Sequence, residues 1–81
     1  MNSAEHNPPA DSHAPIGEAV RLAKRARYLK TADPMPMLRP PDLVDPAEVG
    51  RVVAIRPLGQ RAVRFRRGTF LVSASDLEPA E

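Results

Sequence analysis

The stretch VGRVVAIRPLGQRAVRFRRGTFLVS, residues 49–73, decides the fold. Its first segment, VGRVVAIR (49–56), is rich in β-branched residues and is bounded by Gly50 and Pro57, the composition of a strand. Arg56-Pro57-Leu58-Gly59 places proline second and glycine fourth, which predicts a type I turn. RAVRF (61–65) follows as another strand, with Val63 and Phe65 on one face and Arg61 and Arg64 assigned elsewhere. Arg66-Arg67-Gly68 is a short hairpin connection in which Gly68 is free to adopt positive φ. TFLVS (69–73) is a strand with Phe70 and Val72 opposite Leu71. Ala74-Ser75-Asp76 fits a single 3₁₀ turn, and the residues up to Pro79 fit a last short strand.

Upstream lies YLKTADPMPMLRPPDLV, residues 28–44. Pro34, Pro36, Pro40 and Pro41 lack N–H groups and push Asp33, Met35 and Arg39 toward extended geometry, so neither a helix nor a central strand fits. The segment is also apolar, with two of the chain's three methionines and its only tyrosine, which favours an ordered loop over a solvated linker. IGEAVRLAKRARYLK (16–30) has good helix formers, yet Val20 and Leu22 alternate with Arg21 after Gly17. Beside so much β pattern, a short strand near residues 18–23 is the choice. MNSAEHNPPADSHAP (1–15) reads as a disordered tail, dispensable for the fold. His6 and His13 within it have no companion ligands, so no metal site is assigned.

One strand, a long loop, three strands in hairpin succession, a 3₁₀ turn and a terminal strand form the layout of an SH3-like barrel. The expected architecture is therefore all-β: a five-stranded small barrel over residues 16–81, with the Pro-rich loop between strands 1 and 2. Closing such a sheet protects edges that a short chain could not otherwise cover.

Eighty-one residues allow one small domain whose core is marginal. There is no cysteine, so neither disulfides nor a thiolate zinc site reinforce it. No apolar run approaches the roughly 18 residues of a membrane span, and no signal-peptide core is present, so a soluble protein is expected. Residues 20–67 hold all 12 Lys+Arg against four carboxylates, while both ends are acidic. A basic body of this kind points to an anionic partner.

No glycine-rich phosphate loop, nucleophile elbow or spaced carboxylate pair occurs. Ser73, Ser75 and Asp76 are explained by a local turn, and no structured histidine is available as a base. The chain is expected not to be an enzyme and to need no cofactor.

TADPMPMLRPPDLV (31–44), a glycine-led strand and AVRFRRGTFLV (62–72) resemble the cyanobacterial and plastid family called NblS-interacting protein A, also labelled NAD(P)H dehydrogenase assembly protein. The resemblance runs from about residue 20 to 78 and implies an SH3-like barrel without catalysis. It implies a regulator that binds a membrane-anchored sensor histidine kinase and enhances its autophosphorylation in stress signalling. As the alternative it implies an assembly factor or accessory subunit of the NAD(P)H dehydrogenase-like photosynthetic complex. Under either, the chain is a cytoplasmic monomer that reaches a thylakoid or plasma membrane only through its partner. AKRAR (23–27) departs from the family pattern, where a less basic, proline-containing segment is usual.

The expected partner-binding residues are Met35, Met37, Leu38, Arg39, Arg64, Arg66 and Arg67. The methionines and Leu38 serve equally well as loop packing or as an adaptable apolar anchor. Arg39 is expected to pair with Asp42, and Tyr28 to be half-buried core. The hairpin arginines suit a solvated end or an acidic dock. Nucleic-acid binding is a weaker reading, because single-strand binding adds aromatic stacking to charge and the only aromatics are Tyr28, Phe65 and Phe70. Val63, Phe65, Phe70 and Val72 are the expected core centre. Phe70→Ala should cost about 3–5 kcal/mol in denaturant unfolding, enough to unfold so small a domain.

Overall fold

A computed structural model describes residues 13–80. Among these residues the chain is all-β, with seven short strands and two one-turn 3₁₀ helices. In chain order the strands are β1 (Ala19–Leu22), β2 (Leu29–Thr31), β3 (Leu38–Arg39), β4 (Gly50–Arg56), β5 (Gln60–Phe65), β6 (Gly68–Ser73) and β7 (Leu77–Pro79). They form one antiparallel sheet in the order β3-β2-β6-β5-β4-β1-β7. The 3₁₀ turns are Pro41–Leu43 and Ala74–Asp76.

The succession expected from the sequence is present: β1, a long excursion, the meander β4-β5-β6, a 3₁₀ turn and a terminal strand. The two additional strands, β2 and β3, lie inside the proline-rich excursion and pair as a hairpin, Leu29 opposite Arg39 and Lys30 opposite Leu38. Proline spacing hid them, because the strands left between the prolines are only three and two residues long. β2 then joins the sheet through Thr31 opposite Phe70.

Val63, Phe65, Phe70 and Val72 are all buried, together with Val20, Leu22, Leu29, Val44, Val52 and Leu77. The Phe65 and Phe70 rings lie 6.5 Å apart, tilted by 35°. A side chain at Gly50 could not coexist with them: a Cβ there would sit 2.7 Å from the Phe65 ring and 2.9 Å from the Arg64 carbonyl oxygen. Gly50 thus lets the Phe65 ring lie directly on the β4 backbone.

Three expectations are corrected. The β4–β5 connection is not a type I turn, because Leu58 at its third position has φ 63° where type I needs about −90°. Leu58 is 97 % exposed at the tip, and Gly59 follows at φ 73°. Gly68 does take positive φ, at 149°. Tyr28 is not core: it is 56 % exposed, and Leu29 is the residue that β2 turns inward.

Arg61 is the third correction. Its residue parity is that of Val63 and Phe65, and its side chain follows that parity inward to 0 % exposure. There its Nε donates to the Ala14 carbonyl at 2.9 Å, one terminal nitrogen to the His13 carbonyl at 2.9 Å and the other to the Gln60 carbonyl at 3.0 Å. A buried guanidinium is tolerable when its donors are satisfied in this way. Ala14 is itself buried, and it holds φ 56° with its carbonyl gripped by Arg61. The packed body therefore begins upstream of Ile16, where the boundary was expected; the remainder of the expected tail, including His6, lies outside the described residues.

Truncation through residue 15 should remove Ala14 from the core and strip Arg61 of two acceptors. At ~1.5–3 kcal/mol for each bond to a charged group, the thermal midpoint should fall by well over the roughly 4–8 °C that ~1 kcal/mol moves a domain of this size. An unchanged midpoint in a calorimetric scan would show that the segment contributes nothing to the fold.

Candidate functional site

A basic concavity is built by the link between β1 and β2. β1 pairs with β4 and β7, whereas β2 pairs with β6 and β3, so residues 23–28 must cross between different parts of the sheet. The crossing is pinned at one end by the Ala23 amide, which donates to the Asp76 carbonyl at 2.8 Å, and at the other by buried Leu29. AKRAR has the propensity for a helical turn, but both ends are committed to strands and the segment runs as bends, with Ala26 alone packed toward the core. Its long side chains are left outside.

The result is a cleft of about 580 Å³. Its floor is aliphatic, from Leu22, Leu29, Leu71 and Val72, and Gln60, Ser73 and Asp76 supply polar groups along one side. Its rim carries Lys24, Arg25, Arg27 and Lys30, all exposed, with Tyr28 among them. Neither a salt bridge nor a hydrogen bond engages any of these four cationic side chains among the described residues. By contrast Arg21 on β1 pairs with Glu78 directly opposite on β7, Nε to carboxylate 2.7 Å. The sequence signal for the cleft was AKRAR, visible as a basic run but not as the wall of a concavity.

The residues expected to bind a partner are placed as follows. Met35, Met37 and Leu38 are exposed, Met35 at 83 %, so the loop-packing alternative does not hold for them. Thr31 shapes their loop twice over: its Oγ1 accepts the Met37 N–H and its own N–H donates to the Met37 carbonyl, both at 2.9 Å. Arg39 sits exposed on β3, and no ion pair with Asp42 forms. Arg64, Arg66 and Arg67 are exposed around the β5–β6 turn, whose Arg66 amide donates to the Glu48 carboxylate at 2.8 Å.

The ladder brings two of these groups to one end of the sheet. Thr31 lies opposite Phe70 and the Ala32 amide donates to the Thr69 carbonyl, so the methionine loop leaves the sheet where β6 begins, beside the Arg66-Arg67 turn. The basic cleft lies toward the opposite end of β6, at Leu71, Val72 and Ser73. Leu38 and Arg39 run back along the β3 edge between them. Ser73 and Ser75 hydroxyls are 3.0 Å apart in the turn before β7, a local contact. Among the described residues no three His, Cys, Asp or Glu side chains gather as a metal site would need.

Comparison with known proteins gives two matches. The sequence model of the family described as Protein CHLORORESPIRATORY REDUCTION 42-like matches residues 16–77. The Arabidopsis thaliana protein named Protein CHLORORESPIRATORY REDUCTION 42, chloroplastic, is 33 % identical over 79 residues, covering 96 % of this chain. The chain spans 65 % of that protein's length. No solved structure matches.

Exposure makes the methionine loop separable from the fold. Met37→Ala should change unfolding free energy by less than about 0.5 kcal/mol, as surface changes do, whereas Leu29→Ala on the neighbouring strand should cost about 2–5 kcal/mol. Denaturant titration of the two variants checks this. A destabilised Met37→Ala protein would mean that the loop packs after all.

Proposed function

The chain belongs to the CHLORORESPIRATORY REDUCTION 42-like family, and from that membership we propose that it is a non-catalytic assembly factor or accessory protein of the NAD(P)H dehydrogenase-like photosynthetic complex. The observation that carries the reading is the extent of the family match. Residues 16–77 take in the whole described sheet up to the first residue of β7, and with it both the methionine loop and the basic cleft. The surfaces available for docking thus lie within the span that the family model matches. The name of the Arabidopsis relative places that protein in the chloroplast and ties it to chlororespiration. This agrees with the dehydrogenase-assembly side of the resemblance drawn from residues 31–44 and 62–72.

Neither match names a histidine kinase, and the kinase-regulator reading gains no support from them. The surface chemistry suits protein docking. Exposed methionines present a soft apolar surface that adapts to a partner, and the exposed cations on the rim of the basic cleft supply complementarity to an acidic face. No helix among the described residues is long and apolar enough to cross a membrane.

Deleting the gene in its photosynthetic host should lower accumulation of the dehydrogenase-like complex on native gels. A tagged copy should restore it and co-purify with subunits or assembly intermediates of that complex. Normal complex levels in the deletion strain, with a kinase as the main captured protein, would overturn the proposal.

A further inference from the structure

The cleft under residues 23–28 combines features that narrow its occupant. Lys24, Arg25, Arg27 and Lys30 stand around it without an ion pair to any of the described residues, which leave their charge unanswered. Beneath them lies an aliphatic floor that includes Leu71 and Val72, in a space of about 580 Å³, room for a few side chains. We infer that this cleft is the docking site for an acidic, extended segment of a partner protein, whose carboxylates meet the four rim cations while one or two apolar side chains enter the floor. The inference rests on reading the chain as a protein-docking module and gives that module a ligand chemistry.

The geometry favours this occupant over other anions. A single-stranded nucleic acid gains much of its affinity by stacking successive bases on aromatic rings, and the cleft offers Tyr28 alone. A planar array of lipid headgroups reaches the exposed rim but leaves the recessed aliphatic floor empty. An acidic peptide with an apolar anchor uses both layers. Buried anchors then set its residence time, while rim charges speed its arrival. The cleft is also distinct from the methionine loop, which lies at the other end of β6.

The test titrates the purified full chain against a fluorescent Asp/Glu-rich dodecapeptide carrying a central Leu-Phe pair. Its comparisons are the same peptide with Gly-Gly at the centre, a thymidine oligonucleotide and vesicles rich in anionic phospholipid. Two double variants carry an identical change of charge at opposite ends of the sheet: Arg25→Glu with Arg27→Glu, and Arg66→Glu with Arg67→Glu. All four positions are exposed, so both proteins should retain the wild-type thermal midpoint.

The cleft variant should bind the Leu-Phe peptide about tenfold more weakly or worse, while the turn variant should stay within about twofold, since only the first removes charges at the site. The Gly-Gly peptide should bind about tenfold more weakly than its parent, as loss of a buried anchor requires. Amide resonances of Leu71 and Val72 should shift on titration. Equal losses in the two variants would reduce the effect to diffuse charge and overturn the proposal. So would equal binding of the two peptides, or oligonucleotide or vesicle binding that outlasts peptide binding at physiological salt. Because the titration needs no dehydrogenase complex, it can fail while co-purification succeeds, and the reverse, which separates this inference from the proposed function.

Discussion

The buried Arg61 guanidinium joins parts of the chain that nothing else in the sequence marks as neighbours. Ionic groups enter a low-dielectric interior at a cost of several kcal/mol unless their donors are met, and the backbone carbonyls of His13, Ala14 and Gln60 meet those of Arg61. Holding those carbonyls in place orders the segment before β1. Ala14 then fills space in the core at a backbone conformation that alanine adopts only under constraint. The Gly17 amide reaches the Val52 carbonyl and the Val52 amide the Glu18 carbonyl, so the same segment is laced to β4 before β1 begins. In a domain with so small a core, one satisfied cation thereby extends the packed unit along the chain.

The aromatic packing depends on a second constraint of the same kind, the absence of a side chain. Phe65 can press against Phe70 because Gly50 leaves room for its ring on β4. A glycine at the start of a β-branched strand ordinarily weakens it through backbone entropy. Here the buried aromatic area that it permits offsets that loss. Gly68 acts at the other end of the hairpin, taking the positive φ that lets Arg66-Arg67 turn with both arginines at negative φ.

These constraints divide the molecule's surface. β2 and β3 carry the methionines outward because Thr31 and the prolines set the loop, not because the core demands it. Residues 23–28 are forced to bridge two parts of the sheet, and their cations are left around an aliphatic floor. Both surfaces fall within residues 16–77, the span matched by the CHLORORESPIRATORY REDUCTION 42-like family model. A chain so small can then offer two chemically different faces, one soft and apolar, one basic and recessed.

The meander β4-β5-β6, the 3₁₀ turn and the terminal strand were legible from the residues alone, since β-branched alternation, glycine and proline act over a few neighbours. The centre of the core was legible for the same reason: Val63, Phe65, Phe70 and Val72 obey a period of two. That period also marked Arg61 as inward, and charge argued against it. Only the tertiary fold resolved the conflict, because two of the carbonyls that receive Arg61, those of Ala14 and His13, come from residues 47 and 48 positions away. The hairpin inside the proline-rich loop and the exposure of Tyr28 were likewise decided at long range, by pairing with β6. The basic cleft shows the limit most plainly. Sequence determined that residues 23–27 are basic, but a run of cations becomes the wall of a site only when its two ends are anchored to different strands and an apolar floor from β6 lies beneath it.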